Sequence, residues 1–328
     1  MLDVRRLRLL RELALRGTIA AVAQALSFSP SAVSQQLAVL EREAGVPLLE
    51  RTGRRVRLTP AGQNLARHAE AVLQRLEQAA GELVDARHGL AGPLRIGTFP
   101  TAARAILPAA LTALAREHPG LEPMVSEIDP ANVADALRAG DLDLALIHDY
   151  DFVPQPTEPG LATQPLCSEP VYLASAAPMG NSDGQAITGC QDMPWITAIP
   201  GTACHAMTIR ACQAAGFTPR VRHHIDEFAT VLALVAAGQG VALIPQLGAV
   251  NPAPGVVLTR MPIRRRTMTA HRAGADAHPA VATVTAALRT AVPTGLETCG
   301  PLLPGPARAA ATLLGWGIAS TPSAPTGC

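Results

Sequence analysis

Hydroxyl, amide and guanidinium side chains recur on one face of a short predicted helix. The chain reads TIAAVAQALSFSPSAVSQQLAVLEREA over 18–44, which predicts two short helices joined by a tight turn. A serine at the N-cap and a proline at the first helical position suit the start of the second helix. Such side chains bind base edges or phosphates in the major groove of DNA. The candidate contacts are Ser29, Pro30, Ser31, Ser34 and Gln35, with Arg42 further along the same helix.

Positive charge is concentrated at the amino-terminal end of the chain. Residues 1–58 hold ten arginines against five acidic residues, a net charge of +5, whereas the whole chain of 328 residues carries +1. The remainder is therefore mildly acidic. A basic head on a weakly acidic body predicts that the head binds nucleic acid.

A second basic element follows the two helices. The segment VPLLERTGRRVRLTPAG at 46–62 alternates apolar and polar residues on both sides of Thr52-Gly53, which predicts a β-hairpin. Arginines beside such a hairpin can lie along phosphates or enter a narrow minor groove. The candidate DNA contacts here are Arg51, Arg54 and Arg55.

These motifs, in this order, resemble the DNA-binding domain of the LysR-type transcriptional regulators. The matching residues are Ala21, Ala23 to Leu26, SPSAVSQQLAVLE, GVPLLER at 45–51 and LTPAG at 58–62. Pro30 stands where that family often has a glutamine that contacts a base. The resemblance implies a sequence-specific regulator that binds double-stranded DNA, with RNA polymerase as a further partner.

A long amphipathic helix is predicted after the hairpin, from Pro60 to about Arg87. Its apolar residues recur every three or four positions in a narrow stripe, which is typical of a helix that packs on a partner helix. The resemblance implies antiparallel pairing with the same helix of a second subunit, in a dimer or tetramer; packing on its own domain is the alternative. The predicted dimerisation residues are Leu65, Val72, Leu76 and Leu83, and the stripe also includes Ala69 and Ala80.

Strand-like and helix-like segments alternate beyond residue 93, which is typical of an α/β sheet. Thr101 is expected to cap a helix over 102–117. The runs LRIGT, RAGDLDLALI and DEFATVLALVAAGQGVALIP match the effector-binding half of the same family.

The resemblance implies a multidomain α/β fold: an N-terminal winged helix-turn-helix, a long linker helix and a two-subdomain effector-binding domain of periplasmic-binding-protein type. The expected boundaries are 1–59 for the DNA-binding domain, 60–88 for the linker helix, 89–93 for a hinge, 94–162 with 267–291 for subdomain I, 163–266 for subdomain II and 292–328 for a poorly ordered tail.

The implied cleft between the subdomains predicts an effector site at the carboxyl ends of strands. Helix amino termini there offer N–H groups, and with nearby hydroxyls they suit a small anion such as a carboxylate. Each threonine could instead be a helix cap. The candidate effector-binding residues are Thr98, Pro100, Thr101, His148, Tyr150, Thr202, Phe228 and Thr230.

Three alternatives remain open at this point. A peroxide-sensing subgroup of the family uses two cysteines in the region of Cys204 and Cys212, and the first turn of a helix could favour the Cys204 thiolate. Eight residues apart on an intact helix, however, the two would lie about 12 Å apart, too far for a disulfide, so both could simply be buried small residues. The body alone could also be a solute-binding protein, or a sensor domain that no longer regulates in response to a ligand.

No enzymatic motif is found. The sequence has no phosphate-binding loop, no GxGxxG and no GxSxG, and its histidines and cysteines lack zinc-site spacing. No catalytic residue, metal ligand or cofactor is therefore expected. The amino terminus lacks the apolar core of a signal peptide and no window suggests a membrane span, so a cytoplasmic protein is expected.

Overall fold

The computed structural model describes residues 1–52, 55–85, 90–154, 158–178 and 185–297. The helices are α1 (Val4–Arg16), α2 (Ile19–Ala25), α3 (Pro30–Ala44), α4 (Pro60–Asp85), α5 (Pro100–Ala105), α6 (Leu107–Glu117), α7 (Pro130–Ala139), α8 (Gln185–Thr188), α9 (Ala203–Ala214), α10 (Phe228–Ala236) and α11 (Pro279–Thr290). The strands are β1 (Leu49–Thr52), β2 (Arg55–Leu58), β3 (Gly92–Thr98), β4 (Leu121–Glu127), β5 (Leu144–Tyr150), β6 (Leu161–Ser175), β7 (Pro194–Thr197), β8 (Arg220–His224), β9 (Ala242–Pro245) and β10 (Val257–Arg272). Short 3-10 turns follow β9 and β10, at Gln246–Gly248 and Ala275–Ala277.

The amino-terminal head is a winged helix-turn-helix, as predicted. Leu10, Val22 and Leu37 belong to one apolar core formed by α1, α2, α3 and the start of α4. Asp3 accepts hydrogen bonds from the backbone N–H groups that begin α1, and Ser29 accepts one from Ala32 at the start of α3. These side chains satisfy donors that a helix leaves free at its amino terminus, and α3 begins where the sequence predicts.

The linker helix α4 presents two different faces. Ala69 is fully buried in the head core, whereas Val72, Leu76 and Leu83 are 39%, 48% and 68% exposed. Further round the helix, Gly81 packs on the backbone of His278 in the body of the same chain. One side of α4 therefore packs on its own chain and covers Leu65 in part and Ala69 completely, whereas Val72, Leu76 and Leu83 of the predicted stripe are left uncovered.

The body has one mixed six-stranded sheet in the order β4-β3-β5-β10-β6-β9, with β7 and β8 as a parallel pair beside it. Strands β6 and β10 are long, antiparallel and shared by both halves of the body. Separate apolar cores lie on the two halves, one around Ile96 and Leu144 and one around Val171 and Trp195. The predicted borders near 162 and 266 fall inside these two continuous strands, so both strands cross between the halves.

The helix expected over 102–117 is two helices, α5 and α6. Pro108 lacks an N–H and its ring would clash with the carbonyl group four residues earlier, so a continuous helix cannot pass through it. The expectation that Thr101 caps the helix is wrong. Phe99 is the N-cap residue and makes no side-chain capping bond, whereas Thr101 lies buried inside α5.

The hinge predicted at 89–93 needs correction at its carboxyl end. Gly92 and Pro93, expected in the hinge, belong to β3 and pair with Leu121 and Glu122. Proline is tolerated there because the start of β3 pairs with β4 on one side only, and pairing with β5 begins at Ile96.

The first residues of the expected tail are packed against the body. Glu297 exchanges two backbone hydrogen bonds with Ser168, at 2.7 and 3.0 Å, and forms an ion pair with Arg264 at 2.7 Å. Leu296 packs against the first core of the body. The expectation of poor order is therefore wrong for 292–297, because these residues add a backbone bridge to β6; residues 298–328 lie outside the described part.

Candidate DNA-binding surface and effector site

The predicted recognition helix exposes its polar residues on one side. Ser31 and Gln35 are exposed and Ser34 is half-buried. Ser29 lies at the start of this face, where its hydroxyl caps the helix and lies 3.0 Å from the hydroxyl of Ser31. Pro30 is exposed beside it. The buried side of the helix fixes this face toward solvent.

The wing is tied to the recognition helix by a residue that the sequence analysis missed. Glu41, near the end of α3, accepts hydrogen bonds from the backbone N–H groups of Leu48 and Leu49, both at 2.9 Å. Its carboxylate thus fixes where the hairpin leaves the head. A glutamate just before a Gly-Val-Pro turn was the available signal.

The three wing arginines are only partly described. Arg51 lies in β1 opposite Val56, and Arg55 lies in β2 opposite Thr52, so both backbones flank the tip of the hairpin. Arg54 lies outside the described residues, as does the tip itself.

The centre of the body holds a buried ion pair that the sequence analysis also missed. Arg265 on β10 and Glu169 on β6 are 2% and 0% exposed, with Arg265 Nη2 and Glu169 Oε1 2.7 Å apart. Arg265 also donates to the hydroxyl of Thr101 at 2.9 Å, and its guanidinium lies over the ring of Phe99, 5.1 Å from the centroid. A charged residue within an otherwise apolar strand sequence, as in LCSEPVYLAS, was the signal for a buried partner.

The carboxylate of Glu169 also connects the two halves of the body. Glu169 Oε2 accepts the backbone N–H of Leu247 at 2.5 Å, and the carbonyl of Leu247 accepts from Arg104 on α5 at 2.8 Å. The turn after β9 is thereby attached both to the crossing strands and to the first half. The chain folds so that the ends of β3, β5 and β9 meet at this charged centre.

Two predicted site residues join this centre through stacked aromatic rings. His148 lies between Phe99 and Tyr150, with ring centroids 4.5 and 5.4 Å away and edge-to-face geometry. Burial, reinforced by Arg265, lowers the pKa of His148 to about 3, so its ring is neutral at pH 7. Burial raises the pKa of Tyr150 well above its ordinary value, and the phenol also stays neutral.

Tyr150 supplies an unsatisfied polar group at this centre. Its side chain is 1% exposed, and its hydroxyl has no hydrogen-bond partner within the described residues. A buried hydroxyl without a partner costs roughly 1–3 kcal/mol, so such a group is unusual in a folded protein. Cys204 and Arg265 lie close enough to this hydroxyl for weak hydrogen bonding that affects its pKa, although neither contact meets the full geometry of a hydrogen bond.

The Cys204 thiolate that the redox alternative requires is not favoured by its surroundings. Burial raises the pKa of the Cys204 thiol, and this effect exceeds the opposing influence of Tyr150 and Arg265. Burial also raises the pKa of Cys212 to about 12 and that of Cys190 to about 11. All three therefore stay as neutral thiols at pH 7, because desolvation outweighs the dipole of the helix.

Several predicted effector residues have other hydrogen-bonding tasks. The hydroxyl of Thr202 caps α9 through the N–H of His205 and donates to the carbonyl of Ile199. Thr230 donates to Glu227, whose carboxylate also accepts the first N–H groups of α10. The amino terminus of α10, expected to be open to an anion, is thus already occupied by a carboxylate.

The remaining three predicted residues differ in exposure. Thr98 is fully buried and its hydroxyl donates to the carbonyl of Phe99. Pro100 is exposed at the start of α5. Phe228 packs its ring against Gly248, where an added Cβ would lie 2.6 Å from the ring. The structure therefore brings together Thr101, His148 and Tyr150, and places Thr202, Phe228 and Thr230 at two helix starts in the other half.

The described part of the chain has neither a cluster of metal ligands nor a helix that could span a membrane. It contains no group of three or more histidine, cysteine, aspartate or glutamate side chains arranged to hold a metal ion. Among its helices, none combines the length and apolar character needed to cross a bilayer.

Comparison with known proteins matches both parts of the chain to one family. Residues 4–63 match the family of bacterial regulatory helix-turn-helix proteins of lysR type, and residues 87–293 match the LysR substrate binding domain. A probable hydrogen peroxide-inducible genes activator of Mycobacterium avium is 33% identical over 227 residues, which are 68% of this chain and 71% of that protein. The transcriptional dual regulator GltC of Bacillus subtilis is 29% identical over 75% of this chain and 81% of its own length.

A solved structure extends the match to nearly the whole fold. An H2O2-bound cysteine-to-serine mutant of Corynebacterium glutamicum OxyR is similar with a TM-score of 0.54 and 26% identity, over 89% of this chain and 92% of that one. A head and a body that both match exclude a solute-binding protein that lacks a DNA-binding domain.

Proposed function

We propose that this chain, a member of the LysR family of DNA-binding transcriptional regulators, is controlled by a small uncharged polar effector that binds beside Tyr150. The observation that carries this proposal is the buried Tyr150 hydroxyl, which makes no hydrogen bond of full geometry within the described residues, next to a buried ion pair. An effector that accepts from or donates to this hydroxyl would remove the cost of leaving it unsatisfied. Thr101 and His148 line the same centre.

The charges at this centre favour a neutral effector over the carboxylate expected from the sequence. Arg265 is already compensated by Glu169, and burial keeps His148 uncharged. The amino terminus of α10 carries the carboxylate of Glu227. An anion buried beside Tyr150 would therefore meet an Arg265 that Glu169 has already neutralised, which makes its burial costly.

The head reads DNA in this proposal. Ser31, Ser34 and Gln35 approach base edges in the major groove, with Ser29 and Pro30 at the helix start beside the backbone. The wing residues Arg51, Arg54 and Arg55 bind phosphates or the minor groove. Regulation then consists of effector binding that changes the placement of the heads on DNA, without catalysis.

The exposed stripe of α4 pairs two copies in the same proposal. Val72, Leu76 and Leu83 stay uncovered in a single chain, and an antiparallel copy of α4 would bury them together with part of Leu65. A dimer or tetramer presents two or more heads to half-sites at fixed spacing. The regulator acts in the cytoplasm, where the DNA and RNA polymerase are.

A ligand screen with paired tyrosine variants tests the effector proposal. The full chain is screened by thermal unfolding against neutral and anionic small molecules of similar size. We expect saturable stabilisation by neutral polar molecules only, reduced about tenfold in affinity or more by Tyr150→Phe, which removes the hydroxyl alone. The matched control is Tyr172→Phe, which alters a half-buried phenol elsewhere on β6. Stabilisation by anions alone, or undiminished binding to Tyr150→Phe, would overturn the proposal.

A redox regulator is the second candidate, and one observation favours it. Cys204 adjoins Tyr150 and Arg265 at the proposed effector site, and relatives of this chain are described as peroxide-inducible activators. The raised thiol pKa values argue against it, since the thiolate is the reactive form. Treatment with hydrogen peroxide followed by a count of free thiols distinguishes the candidates. Rapid loss of two thiols that depends on Cys204 and Cys212 would favour the redox regulator, and an unchanged count would exclude it.

A further inference from the structure

The DNA-binding head is fastened to the body of its own chain by charged contacts. Arg16, at the end of α1, donates two hydrogen bonds to Asp135 on α7, at 2.7 and 3.1 Å. Arg8, two turns earlier on the same helix, donates to the backbone carbonyl of Arg138 at 2.7 Å. The last two turns of α1 therefore bind the outer surface of α7.

The linker helix is fastened to the same region through Arg272. This residue ends β10 and forms an ion pair with Glu77 of α4 at 2.9 Å. Its guanidinium also donates to the carbonyls of Leu137 at 3.0 Å and Leu142 at 2.8 Å, where α7 turns into β5. One side chain thus joins α4, α7, β5 and β10.

Close backbone approach at two glycines shows that this contact is tightly packed. A Cβ added to Gly81 of α4 would lie 2.9 Å from the backbone nitrogen of His278. A Cβ added to Gly274 would lie 2.5 Å from the carbonyl oxygen of Gln74, and its φ of +92° also favours glycine. Any larger residue at these positions must push the linker helix away from the body.

Two strands lead directly from this contact to the proposed effector site. Strand β5 begins just after α7 and ends at Tyr150. Strand β10 carries Arg265 and Arg272 on one continuous segment, seven residues and about 23 Å apart. Both strands therefore connect the proposed effector site covalently to the residues that hold the head.

We propose that Asp135, Arg272 and Gly81 form a lock between the head, the linker helix and the body, and that this lock couples the effector site to DNA. This inference rests on the proposed effector site beside Tyr150, but its test needs no identified effector. Coupling between two sites is reciprocal, so operator DNA bound at the head must in turn alter the strands that carry Tyr150 and Arg265. A lock that only adds stability would produce no such response.

Hydrogen exchange of the full chain, with and without a saturating operator duplex, measures this response. The operator is first selected from random DNA with the wild-type protein, and a non-operator duplex of equal length is the DNA control. We expect operator DNA to change exchange in peptides covering 130–150 and 257–272 by about twofold or more in the wild type.

The variants separate the lock from general destabilisation. Asp135→Asn removes the negative charge and one of the two acceptor oxygens that bind Arg16. Gly81→Ala raises the helix propensity of α4 while it blocks the close approach to His278. Both should still bind saturating operator and should lose most of the exchange response, whereas Asp135→Glu should retain it. Asp192→Asn, an exposed site in the other half of the body, is the matched control and should respond as the wild type does.

Three results would overturn the proposal. The first is a wild-type protein whose hydrogen exchange does not respond to operator DNA. The second is an undiminished exchange response in both Asp135→Asn and Gly81→Ala. The third is an equal loss of the exchange response in the Asp192→Asn control.

Discussion

Arg265 and Glu169 face each other across neighbouring antiparallel strands, directly opposite in register and buried on all sides. Their ion pair lies where the two strands cross between the halves of the body. Charges removed from water this completely are tolerated only when each finds a partner and further hydrogen bonds, which Thr101 and the N–H of Leu247 supply. Loss of either partner would therefore leave a buried charge unpaired beside the proposed effector site.

Removal of one partner should destabilise the body strongly. Glu169→Ala leaves a buried guanidinium unpaired, so we expect a loss of about 3–5 kcal/mol in the free energy of unfolding. Urea titration followed by tryptophan fluorescence measures it, because Trp195 is buried in this domain. Glu117→Ala removes a largely exposed ion pair with Arg116 and should cost under about 1 kcal/mol. Similar losses in the two variants would contradict a buried pair.

Stability should rise with pH through the range in which free histidine titrates. The pKa of His148 falls from 6.5 in the unfolded chain to about 3 in the folded one. Between these values the unfolded state binds a proton that the folded state does not, so acid favours unfolding. The free energy of unfolding is therefore not reduced by the titration of His148 above pH 6.5, and it declines as the pH falls toward 3.

His148→Phe keeps the aromatic stack and removes this titration. Its free energy of unfolding, measured by urea titration between about pH 4.5 and 7, should depend less on pH than that of the wild type, by at most about 1.4 kcal/mol per pH unit. An identical pH dependence in both proteins would show that His148 is not held neutral in the folded state.

The linker stripe should control association. Leu76→Glu places a carboxylate in the middle of the exposed stripe, where a paired copy would bury it, and should shift the protein to monomers in sedimentation equilibrium. Ala71→Glu puts the same charge on an exposed position of α4 outside the stripe and should leave the assembly intact. Equal effects of the two changes would indicate that another surface pairs the chains.

Two DNA contacts should differ in kind. Gln35→Ala should relax preference at one base-pair position by about 1–3 kcal/mol, because an amide reads a base edge. Arg54→Ala should weaken binding to all sequences about equally and reduce the salt dependence by about one ion, because a phosphate contact carries no sequence information. Competition binding at several salt concentrations measures both. A change in sequence preference alone for Arg54→Ala would contradict its assignment to the backbone.

Local signals in the sequence were sufficient for most of the fold. Ser29 caps the helix that it was expected to begin, because capping depends on residues within one turn. The error at Thr101 has a local cause too, since Pro108 was present in the sequence but was not weighed as a helix breaker. Strand pairing near Gly92 depends on its neighbours in the sheet and could not be read from the segment itself.

The candidate sites were less predictable, because they depend on contacts between distant residues. Glu169 and Arg265 are 96 positions apart, and Arg16 and Asp135 are 119 apart. Each could be recognised singly as a charged residue, but its partner and its burial follow only from the packing of the sheet. Tyr150 and Thr101 could therefore be named as candidates from the sequence, whereas the ion pair beside them could not.

Binding of the purified chain to DNA from upstream of its own gene, compared with random DNA at two salt concentrations, tests the central claim most directly. The account predicts tight binding that weakens with salt, a footprint over two half-sites and a loss of discrimination in Gln35→Ala. Equal affinity for both DNAs, followed by failure of selection from random DNA to enrich any site, would contradict a sequence-specific regulator.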